Sequence, residues 1–319
     1  MSRVVAAFAT FLACSTALPA MADSITIGKA VPFAWNFAVA DVGLEAGIWK
    51  KYGFDDVKIV GFQGEAKVQQ ALFTKEIDVE LGSGPGMAFN AKGGAGIGVA
   101  ALFGSPKTIA IAMAPDANYT GPSVFKGKKI GITTVGSISD WLGQHLSQSE
   151  GWGKDGIIRV PLGSMDANIA ALRTGQVDGI MVTPESAYEL QDKGILKLTY
   201  NFGTLLPNFI TNVVYVRKDM LPAQAEKVQR FVNGVFATIA YMRANKEKTV
   251  EITSRMLNAS PATMTRVYDD VMPGYTKDGT FNPEAVALIS QSFIDMGLLD
   301  KRPDDGAMFT TQFVPARPD

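Results

Sequence analysis

Two stretches one hundred residues apart carry the same signature. Residues 71–78 read ALFTKEID and residues 171–178 read ALRTGQVD, matching at Ala71/Ala171, Leu72/Leu172, Thr74/Thr174 and Asp78/Asp178. Behind each comes a short apolar strand ending in a hydroxyl and a proline: VELGSGP with Ser83 and Pro85, then GIMVTP with Thr183 and Pro184. The upstream segments ITIGKAVPFAWN and KIGITTVGSISDW correspond as well, each reading as a strand, a turn-rich loop and a helix start. Repetition in the same order predicts two lobes of one β/α design. Strands alternating with helices at this spacing form mostly parallel sheets covered on both faces, so the fold class is α/β.

Ligands of such sheets bind beyond the carboxyl ends of the strands. That rule singles out the loops at 32–36, 62–65 and 83–86 in one lobe, and at 133–139, 163–166 and 183–185 in the other. Facing lobes would bring all of them to one central ligand cleft. Phe33, Trp35 and Phe37 cluster after the first strand, where an aromatic can wall off a ligand beside Asn36 or can start a helix core. Ser83 beside Pro85, and Thr183 beside Pro184, are hydroxyls in echoing positions that can donate to an oxyanion or simply form turns. Glu65 and Glu185 face the cleft from opposite lobes and suit an ammonium or aminopyrimidine group. Glu65 also fits a first-turn helix residue balancing the dipole. Asp166 completes the 163–166 loop. Asp78 and Asp178 are read as holding helix-to-strand turns.

The loop GITTVGSISDWL poses the same question most sharply. Ile138, Trp141, Leu142 and Leu146 fall on one helical face, which places Ser137 at the N-cap. Backbone N–H groups at that start, with Thr133, Thr134 and Gly136 leading in, suit a sulfonate, carboxylate or nitrate group. Ser137 and Asp140 also match the S-x-x-D capping box, which satisfies some of those donors internally.

The first 22 residues follow the secretory pattern: Arg3, an apolar stretch from Val4 to Leu12, and the exit Ala20-Met21-Ala22. The expected mature chain begins at Asp23 and is periplasmic in a diderm cell. Cys14, the single cysteine, lies inside that segment, and Leu12-Ala13-Cys14 offers a loosely lipobox-like rival reading. Without Arg3 the 30 basic and 31 acidic residues give a net charge near −2, with no electrostatic footprint for nucleic acid. A chain of 319 residues that is 47% hydrophobic can bury two domains.

The final third is helical in texture, with Val228, Phe231, Val232, Val235, Phe236, Ile239 and Met242 on one face and further helix starts at Ser260-Pro261 and Asn282-Pro283. These helices are expected to buttress the first lobe, and the Pro-rich end to be irregular. Chain crossings near 109–114 and 210–216 are expected to act as hinges. The resulting division is 23–112 and 213–319 in the first lobe, 113–212 in the second.

The first strand and loop, the AL-x-T-x-x-ID segment before Ser83, KGKKIGITTVGSISDWL and AALRTGQVDGIMVTPE resemble the substrate-binding proteins of nitrate/sulfonate/taurine ATP-binding-cassette importers, a group that includes aminopyrimidine (thiamine-precursor) binders. The resemblance implies the two-lobed type II periplasmic-binding fold. It also implies a monomer that closes on one small-molecule solute and docks on a membrane permease with a cytoplasmic ATPase. A small organic anion is the expected solute, an aminopyrimidine the alternative, and no cofactor or metal is implied.

An enzyme is disfavoured by the residues themselves. One histidine, His145, and a single cysteine in the export segment exclude a Cys/His pair from the mature chain, and neither a G-x-S-x-G elbow nor a Walker loop is present. The eukaryotic thiamine-precursor synthases that share the fold rely on histidine and cysteine chemistry. An exported enzyme working on carboxylates alone is the remaining, less favoured alternative.

Overall fold

The computed structural model describes residues 23–318. The export segment and Cys14 lie outside the described residues. The chain runs through β1 (Asp23–Lys29), α1 (Ala38–Glu45), α2 (Ile48–Lys51), β2 (Phe54–Gly61), α3 (Glu65–Phe73), β3 (Val79–Ser83), α4 (Met87–Ala91) and β4 (Gly96–Phe103). It then crosses to β5 (Ala110–Met113), β6 (Lys129–Ile132), α5 (Ile138–Ser149), β7 (Ile158–Pro161), α6 (Met165–Arg173), β8 (Gly179–Val182), α7 (Pro184–Asp192) and β9 (Lys197–Asn201). A second crossing leads to β10 (Asn212–Arg217), followed by α8 (Met220–Ala223), α9 (Ala225–Ala244), α10 (Lys246–Leu257), α11 (Pro261–Val271), α12 (Pro283–Asp295) and α13 (Asp305–Met308).

Two five-stranded sheets result, ordered β2-β1-β3-β10-β4 and β7-β6-β8-β5-β9. Each is parallel except for one inserted strand. β10 runs antiparallel between β3 and β4, and β5 runs antiparallel between β8 and β9. All four residues of β5 pair within the second sheet, so a division at 112/113 would cut that strand. The connections between sheets therefore occupy residues 104–109 and 202–211, and Asn212 already belongs to the first sheet.

The internal echo has a physical basis. Thr74 and Thr174 each return their hydroxyl to carbonyls of the helix they end, those of Gln70 and Ala71 in one lobe and of Ala170 and Ala171 in the other. Asp78 accepts the Thr26 amide of β1 at 3.0 Å, and Asp178 accepts the Lys129 amide of β6 at 2.8 Å. Each aspartate thus ties the turn before one strand, β3 or β8, to the parallel neighbour of that strand, β1 or β6. Ala71, Leu72, Ala171 and Leu172 are buried beneath.

All seven apolar positions foreseen on α9 are buried, with Trp49 of α2 stacked on Phe231 at 5.2 Å and 12°. Full burial of an aromatic this size stabilises by roughly 1.5–3 kcal/mol. Ser260 and Asn282 cap α11 and α12 as expected, accepting the amides of Thr263 and of Glu284 and Ala285. These later helices do more than buttress the first lobe. α11 reaches α7 through Arg266–Asp192 at 3.0 Å and Tyr188–Asp270, and the end of α12 reaches α5, where Gln144 donates to the Asp295 carbonyl at 2.7 Å. The Pro-rich end is also packed: Met308, Phe309 and Phe313 are buried, with Phe309 bridging to Gly98 of β4.

Candidate functional site

Trp35 is where the two lobes meet. It opens a single helical turn, Trp35–Phe37, after β1, and it is 1% exposed. Its amide donates to Glu185 Oε1 across the lobes at 3.2 Å, and its carbonyl accepts the Tyr275 hydroxyl at 3.2 Å. The indole stands edge-on to Tyr268 at 6.1 Å and tilted against Tyr275 at 5.8 Å. Its Nε1–H is buried without a partner among the described residues. A buried donor left unpaired costs about 1–3 kcal/mol.

Glu185 occupies the first turn of α7 and is 6% exposed. Burial pushes its carboxyl above the usual glutamate range, opposed by its hydrogen bonds to its own amide, Thr183 and Trp35. Thr183 sits at the N-cap position but shares its hydroxyl with Ser186 at 3.4 Å.

Asn36 lies beside Trp35, its amide donating to Asn212 Oδ1 at 2.7 Å while Asn212 in turn donates to the Gly82 carbonyl at 3.3 Å. Tyr275 also donates to the Asn36 carbonyl at 3.0 Å, so one phenol fixes two successive carbonyls of this turn. Ser83 ends β3. Its amide donates to Glu65 Oε2 at 2.8 Å, its carbonyl accepts Tyr215 at 2.6 Å, and its Oγ is buried without a partner. Pro85 follows inside the buried turn Gly84–Gly86.

The 133–139 loop is largely self-satisfied. Ser137 accepts the Asp140 amide at 3.3 Å, and Asp140 accepts the Gly136 amide at 2.8 Å, one residue earlier than a reciprocal box requires. The Ser137 hydroxyl also meets Thr133 Oγ1 at 3.0 Å and Ser139 Oγ at 2.8 Å. Arg159 pairs with Asp140 at 2.7 Å, offsetting the carboxylate at that helix start. Thr133 and Thr134 are exposed.

The structure thus joins Trp35 to Glu185, Asn36 to the strand that carries Ser83, and Ser83 to Glu65. Phe33, 66% exposed, and Asp166, an exposed first-turn residue of α6 where Ser164 supplies the cap, stand apart, and the hydrogen bonds of Thr133, Gly136 and Ser137 that involve a side chain stay within their own loop and helix start. Tyr275, Tyr268 and Asn212 were not foreseen, because their contacts cross 176 residues or more and leave no local pattern. Glu80 had a signal that went unread: a lone acid within the buried strand VELGS. A cavity of about 140 Å³ lies where the crossings meet α12, lined by Gly104, Pro207, Phe209 and Asn282, away from the foreseen loops.

Lys29, the buried cation of β1, pairs with Asp41 at 2.8 Å. Among the described residues no lysine or arginine side chain bonds to Ser83, Trp35 or Glu185. No helix among them is long and apolar enough to cross a membrane.

The family model described as NMT1/THI5 like matches residues 36–249. A provisionally named binding protein of Brucella abortus (strain 2308) is 24% identical over 277 residues, covering 80% of each chain. Among solved structures, the alkanesulfonate-binding protein SsuA from Xanthomonas axonopodis pv. citri, bound to MOPS, superposes with a TM-score of 0.76 at 17% identity, over 90% of this chain and 98% of that one. The desulfurization enzyme DszB superposes with a TM-score of 0.68 at 15% identity, over 91% of this chain and 97% of that one. The fold is that of periplasmic binding proteins.

Proposed function

This chain belongs to the NMT1/THI5-like family, and from that premise we propose that it is the solute-binding component of an ATP-driven importer, closing on a small organic anion of the sulfonate or carboxylate class. The observation that carries the reading is the unpartnered, buried Nε1–H of Trp35 at the junction of the lobes. Ser83 Oγ, equally unpartnered, is the second donor. Neutral donors in a dry site bind an oxyanion through hydrogen bonds without a fixed counter-charge. The likeness to an alkanesulfonate-binding protein supports that class.

A second reading is favoured by Glu185. A buried carboxyl at the lobe junction suits an amino group, and so an aminopyrimidine. The two readings separate by charge. The anion reading needs Glu185 neutral or turned away when the solute is bound, whereas the pyrimidine reading needs it ionised.

Binding rather than catalysis is supported by the chain's chemistry. DszB shows that an enzyme can use this fold. Here no cysteine lies within residues 23–319, and the single histidine, His145, is stacked on Trp141 at 4.6 Å with burial lowering its pKa. The proposed protein is exported with cleavage after Ala22, acts as a monomer, and hands its solute to a permease carrying a cytoplasmic ATPase. A thermal-shift screen over sulfonates, carboxylates, nitrate and pyrimidines tests the reading, since ligand at a hundredfold excess over Kd stabilises by about 2.7 kcal/mol. Conversion of a stabilising compound to product would replace transport by catalysis.

A further inference from the structure

We infer that Glu65 and Glu80 share one proton beneath the β3–α4 loop, and that this joined pair positions the Ser83 amide. Glu80 is wholly buried as the second residue of β3, and Glu65 is buried at the start of α3. Gln69 donates to Glu80 Oε1 at 3.2 Å and the Ser83 amide donates to Glu65 Oε2 at 2.8 Å. That leaves Glu65 Oε1 and Glu80 Oε2 buried without a donor. The two carboxyls crowd the same glycine: a Cβ on Gly82 would overlap Glu80 Oε1 and lie 3.0 Å from Glu65 Oε1. A Cβ on Gly86 would likewise collide with Glu65 Oε1. Glycine at both positions is the room this pair needs.

Two adjoining carboxylates removed from water cannot both remain ionised. A single proton between them gives each unpartnered oxygen a role, as donor or acceptor. Among the described residues the surroundings offer no alternative counter-charge. Tyr215 of β10 stands opposite Glu80 in register, but its hydroxyl is used by the Ser83 carbonyl. Asn90 of α4 and Gln69 of α3 are neutral. Lys218 donates to the carbonyls of Asn90 and Gly94, Lys29 of β1 pairs with Asp41, and Arg217 pairs with Asp78. Burial raises both carboxyls, and Glu80 lies well above the ordinary glutamate value, raised further by the charge on Glu65. The Ser83 amide, donating to Glu65 at 2.8 Å, holds the charge on Glu65, which leaves the proton to Glu80.

The shared proton stands on its own; only the link from Ser83 to a solute rests on the proposed function. The test uses the full mature chain without solute. Infrared difference spectra of wild type minus Glu80→Gln at pH 7 should show the C=O stretch of a protonated carboxylic acid. Because Glu80 is raised on folding, its stabilising contribution is present below the ordinary value of 4.5 and is lost as pH rises towards the folded value. Across that window the wild-type folding constant should fall about tenfold per pH unit relative to Glu80→Gln, whose amide mimics the protonated acid. Hydrogen-exchange protection of the Ser83 amide should survive Glu65→Gln and be lost in Glu65→Ala. A wild-type spectrum with both carboxyls ionised at pH 7, or parallel pH profiles for the two proteins, overturns the inference. If Glu80→Gln does not fold, the spectrum with carbon-13-labelled glutamate, taken on wild type and on Glu185→Gln, decides: a protonated-acid band that persists in Glu185→Gln upholds the inference and its absence there overturns it. Failure of every solute to bind a protein that passes these tests counts against the proposed function instead.

Discussion

Glu185 on α7 accepts the backbone N–H of Trp35 at 3.2 Å, so a single hydrogen bond ties the second lobe to the loop that follows the first strand of the first. Both partners are buried, so the ionisation of Glu185 is linked to the stability of the fold that covers it. Its raised pKa sets the sign: its stabilising contribution is full below the ordinary value of 4.5 and is lost as pH rises through the raised value. Urea midpoints of wild type should therefore decline over that window more steeply than those of Glu185→Gln. Superimposable profiles would show that Glu185 titrates as an exposed group.

Trp35→Phe separates packing from hydrogen bonding. The ring contacts with Tyr268 and Tyr275 are largely kept, while the unpartnered Nε1–H is deleted. Affinity for the solute should fall about tenfold, the equivalent of roughly 1.4 kcal/mol, without an equal loss of stability. Calorimetric titration alongside thermal unfolding reads both. Unchanged affinity would remove the indole N–H from the site.

The lobe contact through α11 and α7 should tune closure rather than folding. Arg266 pairs with Asp192 and lies 4.2 Å over the Tyr188 ring, and the ion pair is about half exposed. Surface pairs contribute about 0–1 kcal/mol, so Arg266→Ala should leave unfolding nearly unchanged while shifting an open–closed balance up to about fivefold. Small-angle scattering of the solute-free protein should report a larger radius for the variant.

Ser137→Ala should lower stability by about 1 kcal/mol through loss of the cap on α5, and slightly more if the Thr133 and Ser139 hydroxyls lose their shared partner. Denaturant unfolding measures this directly. A neutral substitution would mean that Ser139 takes over the cap.

What the sequence disclosed follows from how locally each feature is encoded. The echo at residues 71–78 and 171–178 was legible because helix ends and turn aspartates are made within a few residues of chain. The Ser137 cap and the proline starts of α11 and α12 were legible for the same reason. The insertion of β5 and β10 was not. A four-residue apolar run such as AIAM carries no mark of which strand will pair with it, so the lobe boundary fell inside the strand. Trp35 was placed by its neighbours in sequence, but its anchor Tyr275 lies 240 residues away. Phe33, from the same aromatic cluster, stayed in solvent because alternation alone cannot tell which ring the fold will cover. Glu65 fits both a cleft-facing acid and a first-turn helix residue in the sequence; it opens α3 and holds the Ser83 amide from below, a direction fixed by how α3 packs on β3.

The account turns on closure around a solute bound by Trp35 and Ser83. Calorimetric titration of the mature protein with an alkanesulfonate, a carboxylate and an aminopyrimidine, each followed by scattering at saturation and recovery of the compound, tests it most directly. The account predicts one anionic compound bound once per chain, a contracted particle, and the compound recovered unaltered. Binding of the aminopyrimidine alone with loss in Glu185→Gln, or recovery of a chemically changed compound, would contradict it.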